Sequence, residues 1–277
     1  MRFDEEIGRA LTGRWRKTIW RPFMSAVKEY ELVSAGDRIA VCVSGGKDSM
    51  LLAKCMQELR RHSPLPFELA FLCMDPGYAP ENRAKIAQNA ELLGIPLEFF
   101  DTDIFDAIDV MDCNPCFMCA KMRRGYLYRR AAAMGCNKIA LGHHFDDAVE
   151  TLMMSMLYAG QLRGMRPRIE SDNVPGVQLI RPLYKVRERD ILDWRDENEL
   201  QFLACACKVT RDSSVRPDGS SDSKRQEIKH LIRRLTQLNP DADKNIFRSA
   251  HNAVLDSLIG WKYRGEAHSF LEDFPEE

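Results

Sequence analysis

Residues 39–52 read IAVCVSGGKDSMLL, and three structural signals follow one another in this stretch. An apolar run enters Ser44-Gly45-Gly46-Lys47-Asp48-Ser49, and apolar positions then recur at Leu51, Leu52, Cys55, Met56 and Leu59, the spacing of a helix with one buried face. The pattern is that of a buried strand, a glycine turn and a helix. Adjacent glycines let the backbone turn tightly and approach a ligand, while the first N–H groups of the helix lie at its positive dipole end. Such a place binds phosphate.

Outward from this unit, residues 67–75 (FELAFLCMD) predict a second buried strand ending in an acid, followed by Pro76-Gly77. Residues 80–93 predict a helix closed by Gly94, and residues 96–100 a short third strand. A helix over 120–134, ending at Gly135, leads into the strand KIALGH of residues 138–143, and a helix over 146–158 follows. Strands separated by single helices imply parallel pairing through right-handed crossovers, hence an α/β fold with a doubly wound, mainly parallel sheet. Ligands of such sheets sit beyond the carboxyl ends of the strands, where Ser44, Asp75 and His143 fall. Further on, residues 160–175 predict a loop over the sheet edge, 177–181 a last strand and 188–198 a helix. A Ser, Asp and Gly-rich loop spans 210–223, helices 222–238 and 242–258, and the acidic end 266–277 is expected to fray.

The N-terminal segment carries Ile7, Leu11, Trp15, Ile19 and Phe23 at a spacing of four, with cations between them and no acid from Arg9 to Lys28. It predicts an amphipathic helix with a basic outer face, either solvated or tracking the phosphates of a polynucleotide. The domain reading is therefore a basic helix over 1–30, an ATPase-like domain over 31–215 and a helical extension over 216–277.

With 277 residues and 45% hydrophobic content the chain can bury a large core, so disorder is not the default. A net charge of −1 says nothing about a partner, and any nucleic-acid surface must come from local clustering. No apolar run is long enough to span a bilayer and the first residues are charged, so no membrane association and a cytoplasmic location are expected. Nine cysteines in so long a chain are not a secreted disulfide framework. Cys42, Cys55, Cys73 and Cys136 lie in apolar patterns as small core residues. Cys113, Cys116 and Cys119 have metal-ligand spacing on a loop favoured by Asn114 and Pro115, and Cys205 and Cys207 form a second group. A structural zinc site and an iron-sulfur cluster both fit this pattern.

The loop is not a Walker A motif, which has four residues between its glycines and a Ser or Thr directly after its Lys. Its hexamer resembles the SGGxDS pyrophosphate loop of the N-type ATP pyrophosphatases. Taken in order, SGGKDS, Cys116-x-x-Cys119-x-x-x-Arg123-Arg124-Gly125, LGHHxDD over 141–147, LRGMRP, and IRPL followed by Cys205-Ala206-Cys207 resemble the TtcA family of tRNA 2-thiocytidine synthetases. The resemblance covers roughly residues 25–255. It implies a PP-loop fold of the adenine nucleotide α-hydrolase type, and ATP-dependent sulfur transfer to a cytidine of the tRNA anticodon loop.

A [4Fe-4S] cluster held by Cys116, Cys119 and one cysteine of the later pair is implied as well, leaving one iron open. The family's later pair usually reads CxxC, so here either Cys205 or Cys207 can be the third ligand. Cys113 is an extra thiol expected to stay off the cluster.

The chemistry supports such an arrangement. Oxide is a very poor leaving group from C2 of cytosine, and adenylation converts that oxygen into AMP. Backbone N–H groups of Gly45 to Lys47, the Ser44 and Ser49 hydroxyls and the Lys47 ammonium suit the pyrophosphate, with Mg²⁺ near Asp48. Asp75, His143, His144 and Asp147 can reach the adenosine, the metal or the base, although an acid after His144 can equally cap the next helix. Arg123 and Arg124, beside the cysteine loop, and Arg163 and Arg166 in the acid-free stretch 163–168 are the candidate tRNA contacts. Implied partners are tRNA and a sulfur donor, such as a cysteine desulfurase or free sulfide, and a homodimer is compatible. Competing readings are a tRNA 2-thiouridine synthetase, a lysidine synthetase-like ligase, and a nucleotide-binding iron-sulfur redox sensor.

Overall fold

The apolar run ahead of the glycine turn forms β1 (Arg38–Cys42), whose residues after Arg38 are all buried, and Lys47–His62 forms α3 behind the turn. The computed structural model describes residues 2–102, 104, 115–171, 174–203 and 224–274, with backbone alone over 115–121 and at 273. Around β1 lie β2 (Glu68–Asp75), β3 (Leu97–Asp101), β4 (Lys138–Ala140), β5 (Arg168–Glu170) and β6 (Gln178–Ile180), in the order β3-β2-β1-β4-β6-β5. Every pairing is parallel except β5 with β6. Two further helices, α4 (Pro80–Leu92) and α5 (Pro115–Ala133), alternate with these strands, followed by α6 (Phe145–Ala159) and α7 (Glu188–Glu197). The doubly wound sheet expected from the alternation of elements is present.

The N-terminal stripe differs from the single helix expected. It forms α1 (Phe3–Thr12), a π turn over Arg16–Trp20 and α2 (Arg21–Glu29). Apolar residues at a strict spacing of four drift by roughly 40° per step around an α-helix. The wider π turn, in which Trp15 N–H donates to Ala10 O at 2.8 Å, counters that drift. Ile7, Leu11, Ile19 and Phe23 thereby all reach the core formed with Leu51, Leu52, Met56 and Trp194, while Arg9, Arg16, Lys17, Arg21 and Lys28 stay exposed.

Other departures have local causes. Helix α5 starts at Pro115 rather than near 120, because proline suits the first helical position, so Cys116 and Cys119 stand in helical backbone and not in a loop. Residues 160–175 are not all loop, since β5 pairs along the sheet edge.

Helix α8 (Lys224–Leu238) is close to its expected range, but α9 (Ala242–Ser249) stops early. There Ser249 Oγ and Asn252 Nδ2 donate to the carbonyls of Ile246 and Arg248, competing with the helical ladder. Part of the expected frayed end is a hairpin of β7 (Gly260–Tyr263) and β8 (Glu266–Ser269), turned by Arg264 and Gly265 at φ 50 and 94.

Candidate functional site

The phosphate-loop geometry begins with Gly45, at φ +83, where a Cβ would lie 2.5 Å from Ile86 Cγ1. Only glycine fits. Ser49 Oγ accepts from Ser44 N at 3.1 Å, lies 3.3 Å from Ser44 Oγ and donates to Gly46 O at 2.9 Å, tying the turn to the first turn of α3. The N-cap of α3 is Gly46, with no side-chain cap, so its first amides lack the usual internal acceptor. Gly142, just past β4, lets a second strand end crowd the same helix start: a Cβ there would lie 3.0 Å from Asp48 C and Ser49 N. Sequence reasoning placed Gly142 in a motif without seeing this packing role.

A cavity of about 560 Å³ opens at the carboxyl edge, bordered by Ser44, Asp48, His143, Asp147 and Arg181 on the sheet side and by Arg123 and Arg124 of α5. Lys47 turns to the other side of the loop, where Asp48 Oδ2 and Glu188 Oε1 accept from its ammonium at 3.1 and 3.4 Å. Against the cost of burial, these two carboxylates hold the Lys47 pKa above the usual lysine value. Glu188 was not legible as a site residue, because it reads as an ordinary acid in the first turn of a helix.

Several expected residues have different tasks from one another. Asp75 is buried and does not border the cavity; its Oδ1 accepts from Gly77 N and Tyr78 N at 3.0 and 2.7 Å, and its Oδ2 from Arg83 at 2.7 Å. It fixes the turn after β2. Asp147 and His144 form a reciprocal cap on α6, Asp147 Oδ2 accepting from His144 N at 3.0 Å and His144 Nδ1 from Asp147 N at 3.4 Å. Burial opposes the Asp147 charge, but His144 and Arg225 still hold its carboxyl below the ordinary value.

His143, by contrast, has a buried Nδ1 without a hydrogen-bond partner among the described residues. Burial first, and Arg181 second, push its pKa down to about 4, so the imidazole facing the cavity is neutral at pH 7.

Arg181, one residue past β6, is 8% exposed, donates to Arg166 O and has no carboxylate within ion-pair distance among the described residues. Its Nε is buried and unpartnered, and burial lowers its pKa to about 10. A buried cation without a counter-ion is costly, and an anionic ligand removes the cost. Asp48 presents the complementary feature, a buried Oδ1 with no hydrogen-bond partner among the described residues, His144 Nε2 lying 3.8 Å away. One carboxylate oxygen together with phosphate oxygens is a usual Mg²⁺ environment.

Cys113, Cys205 and Cys207 lie outside the described residues, as do the side chains of Cys116 and Cys119. The backbone still locates the segments. Cys116 and Cys119 precede Arg123 of the cavity wall on α5 by about two turns and one turn. The chain toward Cys205 passes the loop at Leu203, whose carbonyl oxygen is 3.9 Å from a Cβ position on Gly46. Leu203, two residues ahead of Cys205, thus borders the phosphate loop, and Arg123, four residues after Cys119, lines the cavity beside it. Cys42, Cys55, Cys73 and Cys136 are buried free thiols as expected, those of Cys42 and Cys73 pushed up to about 12 by burial. Arg163 and Arg166 are exposed on the loop that enters β5.

Residues 17–208 match the family description of the PP-loop domain. The tRNA-cytidine(32) 2-sulfurtransferase of Geobacter sulfurreducens is 37% identical over 230 residues, spanning 82% of this chain and 86% of that protein. The protein of the same name from Burkholderia vietnamiensis is 34% identical over 251 residues, 88% of this chain and 70% of that one. Among solved structures, the U34-tRNA thiolase NcsA from Methanococcus maripaludis with its [4Fe-4S] cluster superposes with a TM-score of 0.65 at 22% identity, covering 94% of this chain and 84% of the other. That likeness concerns the fold.

Proposed function

The chain belongs to the PP-loop family, together with its tRNA-cytidine(32) 2-sulfurtransferase relatives, and from that membership we propose that it is an ATP-dependent tRNA sulfurtransferase making 2-thiocytidine at position 32. The observation that carries the reading is the Ser44–Ser49 loop at the sheet edge, with Leu203 against it and Arg123 and Arg124 across the adjoining cavity.

The amides of Gly45 to Lys47, the hydroxyls of Ser44 and Ser49 and the Lys47 ammonium hold the pyrophosphate portion of ATP, and Asp48 Oδ1 takes Mg²⁺. Arg181 answers the charge of the α-phosphate. The C2 oxygen of cytidine attacks the α-phosphorus, the α–β bridge breaks, and pyrophosphate leaves. Sulfur then adds at C2 and the C2–O bond breaks, with AMP as leaving group. His143 is neutral and hydrogen-bonds the reacting groups without adding charge. A [4Fe-4S] cluster held by Cys116, Cys119 and one of Cys205 and Cys207 supplies, when bound, an iron position open to sulfur.

Arg123 and Arg124 bring tRNA phosphates to the cavity mouth, with Arg163, Arg166 and the exposed cations of the N-terminal segment extending the track. Free sulfide, or the persulfide of a cysteine desulfurase reduced to that level by a thiol, supplies the sulfur. The working unit is residues 31–215, flanked by the basic segment 1–30 and the extension 216–277, in a cytoplasmic protein able to form a homodimer. Among the described residues no helix is long and apolar enough to cross a membrane.

Mass spectrometry of tRNA nucleosides from a gene deletion tests the reading. Loss of 2-thiocytidine, restored by the wild-type gene, is expected. Loss of 2-thiouridine alone, or an unchanged nucleoside profile, overturns it.

A further inference from the structure

The matched domain ends at residue 208, yet α8, beyond it, reaches the phosphate loop. A cavity of about 210 Å³ lies between Lys47, Asp48, Glu188, Arg225 and Lys229, the last two carried by α8. Arg225 is committed to α6, its Nε 3.1 Å from Glu150 Oε2 and its Nη2 3.6 Å from Asp147 Oδ1. Lys229 is different. Its ammonium lies 2.5 Å from Glu188 Oε2, while the other oxygen of the same carboxylate, Oε1, accepts from Lys47 at 3.4 Å.

Glu188 thus bridges two ammonium groups, one of them the phosphate-loop lysine. Its backbone is anchored, since Glu188 N donates to Asp146 Oδ2 at 2.7 Å, and the three side chains are 19%, 20% and 28% exposed for Lys47, Glu188 and Lys229. A carboxylate on Lys47 takes up a donor of the ammonium that a phosphate oxygen would use, and two anions sharing that ammonium repel each other. The longer, weaker half of the bridge is the one to Lys47. The carboxylate can therefore give up that contact and keep its charge paired, provided the second cation stays.

We propose that Lys229 is a positioning residue for ATP, receiving Glu188 as it yields Lys47 to the polyphosphate, so that the C-terminal helix takes part in each binding event. This rests on the reading of the Ser44–Ser49 loop as the ATP phosphate site. Without Lys229, Glu188 has no other partner in this bridge. It must then either hold Lys47 against the phosphate or stand unpaired beside it.

The test is titration calorimetry of Mg²⁺ with a non-hydrolysable ATP analogue into the full chain, prepared anaerobically. Lys229→Gln is expected to weaken binding by about tenfold, one partly buried ion pair's worth, and Lys229→Arg to stay within about twofold. The decisive variant is the double Lys229→Gln, Glu188→Gln. Removing the carboxylate removes the competitor, so affinity should return to within about threefold of wild type, which no loss of packing predicts.

Wild-type affinity in Lys229→Gln overturns the proposal. So does a double variant as weak as the single one. If instead Lys47→Ala binds the analogue as tightly as wild type, the phosphate-loop reading itself fails, and the exchange falls with it.

Discussion

At the amino end of β4 the chain buries Lys138 among partners, and five residues later, past the carboxyl end, it half-buries His143, whose inward Nδ1 has no hydrogen-bond partner among the described residues. The first place is complete. Lys138 Nζ donates to Asp37 Oδ2 at 2.7 Å and to Leu32 O at 3.1 Å, Asn137 Nδ2 donates to Asp37 Oδ1 at 2.9 Å, and Ser34 N donates to Asp37 Oδ2 at 2.6 Å. At the other end, Asp48 Oδ1, His143 Nδ1 and Arg181 Nε are all buried and have no hydrogen-bond partner among the described residues. The same sheet thus spends its polar groups in two ways. A closed network fixes the strand order at one end, and open polar atoms at the other are completed only by a ligand.

The comparison breaks most visibly at Lys47. Lys47→Ala should lower ATP-dependent AMP formation by about 10³- to 10⁴-fold, the scale of losing a charge aimed at a phosphoryl transition state. Thermal unfolding should move little, because the partners Asp48 and Glu188 remain partly exposed. Turnover within a few-fold of wild type would mean that the loop is a structural connector.

The closed end should respond in the opposite sense. Asp37→Ala leaves a buried ammonium unpaired and should cost about 3–4 kcal/mol of unfolding free energy in urea. The folded fraction should bind ATP as wild type does. Adding Lys138→Met to that variant should recover part of the loss. A fall in ATP affinity matching that of Lys47→Ala would show that the two ends are not separable.

How far each end was legible in the sequence follows from range. Ser44 to Ser49 could be read because a strand, a turn and a helix written in one run need no distant partner, and Cys42, Cys55, Cys73 and Cys136 because apolar periodicity sorts core from surface. Arg181 could be placed at the sheet edge but not recognised as unpaired, since pairing depends on what the other strands bring. Glu188, Arg225 and Lys229 were missed because they lie 141 to 182 residues along the chain from Lys47, and only folding joins them. Asp75 was read toward a ligand, while its oxygens are taken by nearby groups, the usual alternative for an Asp at a turn, and the helix cap read as the alternative for Asp147 is a bond it makes. Edge strand β5 and the β7–β8 hairpin are three and four residues long, too short for period-two alternation to register.

The smallest expected effect sharpens the comparison by pH. His143 has its folded pKa near 4 against an ordinary 6.5, so between these values the unfolded chain binds a proton that the folded chain does not. Stability is therefore fully present above about pH 6.5, falls as pH drops toward 4 and flattens below it. The whole shift corresponds to no more than about 3 kcal/mol, less to the extent that water reaches the cavity. Glu150, pushed up by burial, acts in the opposite sense, and Asp147, held down despite its burial, loses its contribution only at lower pH, so the wild-type slope alone is ambiguous. The difference between wild type and His143→Asn isolates the ring. Urea unfolding at pH 7.5, 6, 5 and 4.5 should show wild type losing its lead over the variant step by step. Parallel curves for wild type and His143→Asn would mean that the ring is solvated or protonated in the fold, and that the open end of the sheet is no more costly to bury than the closed one.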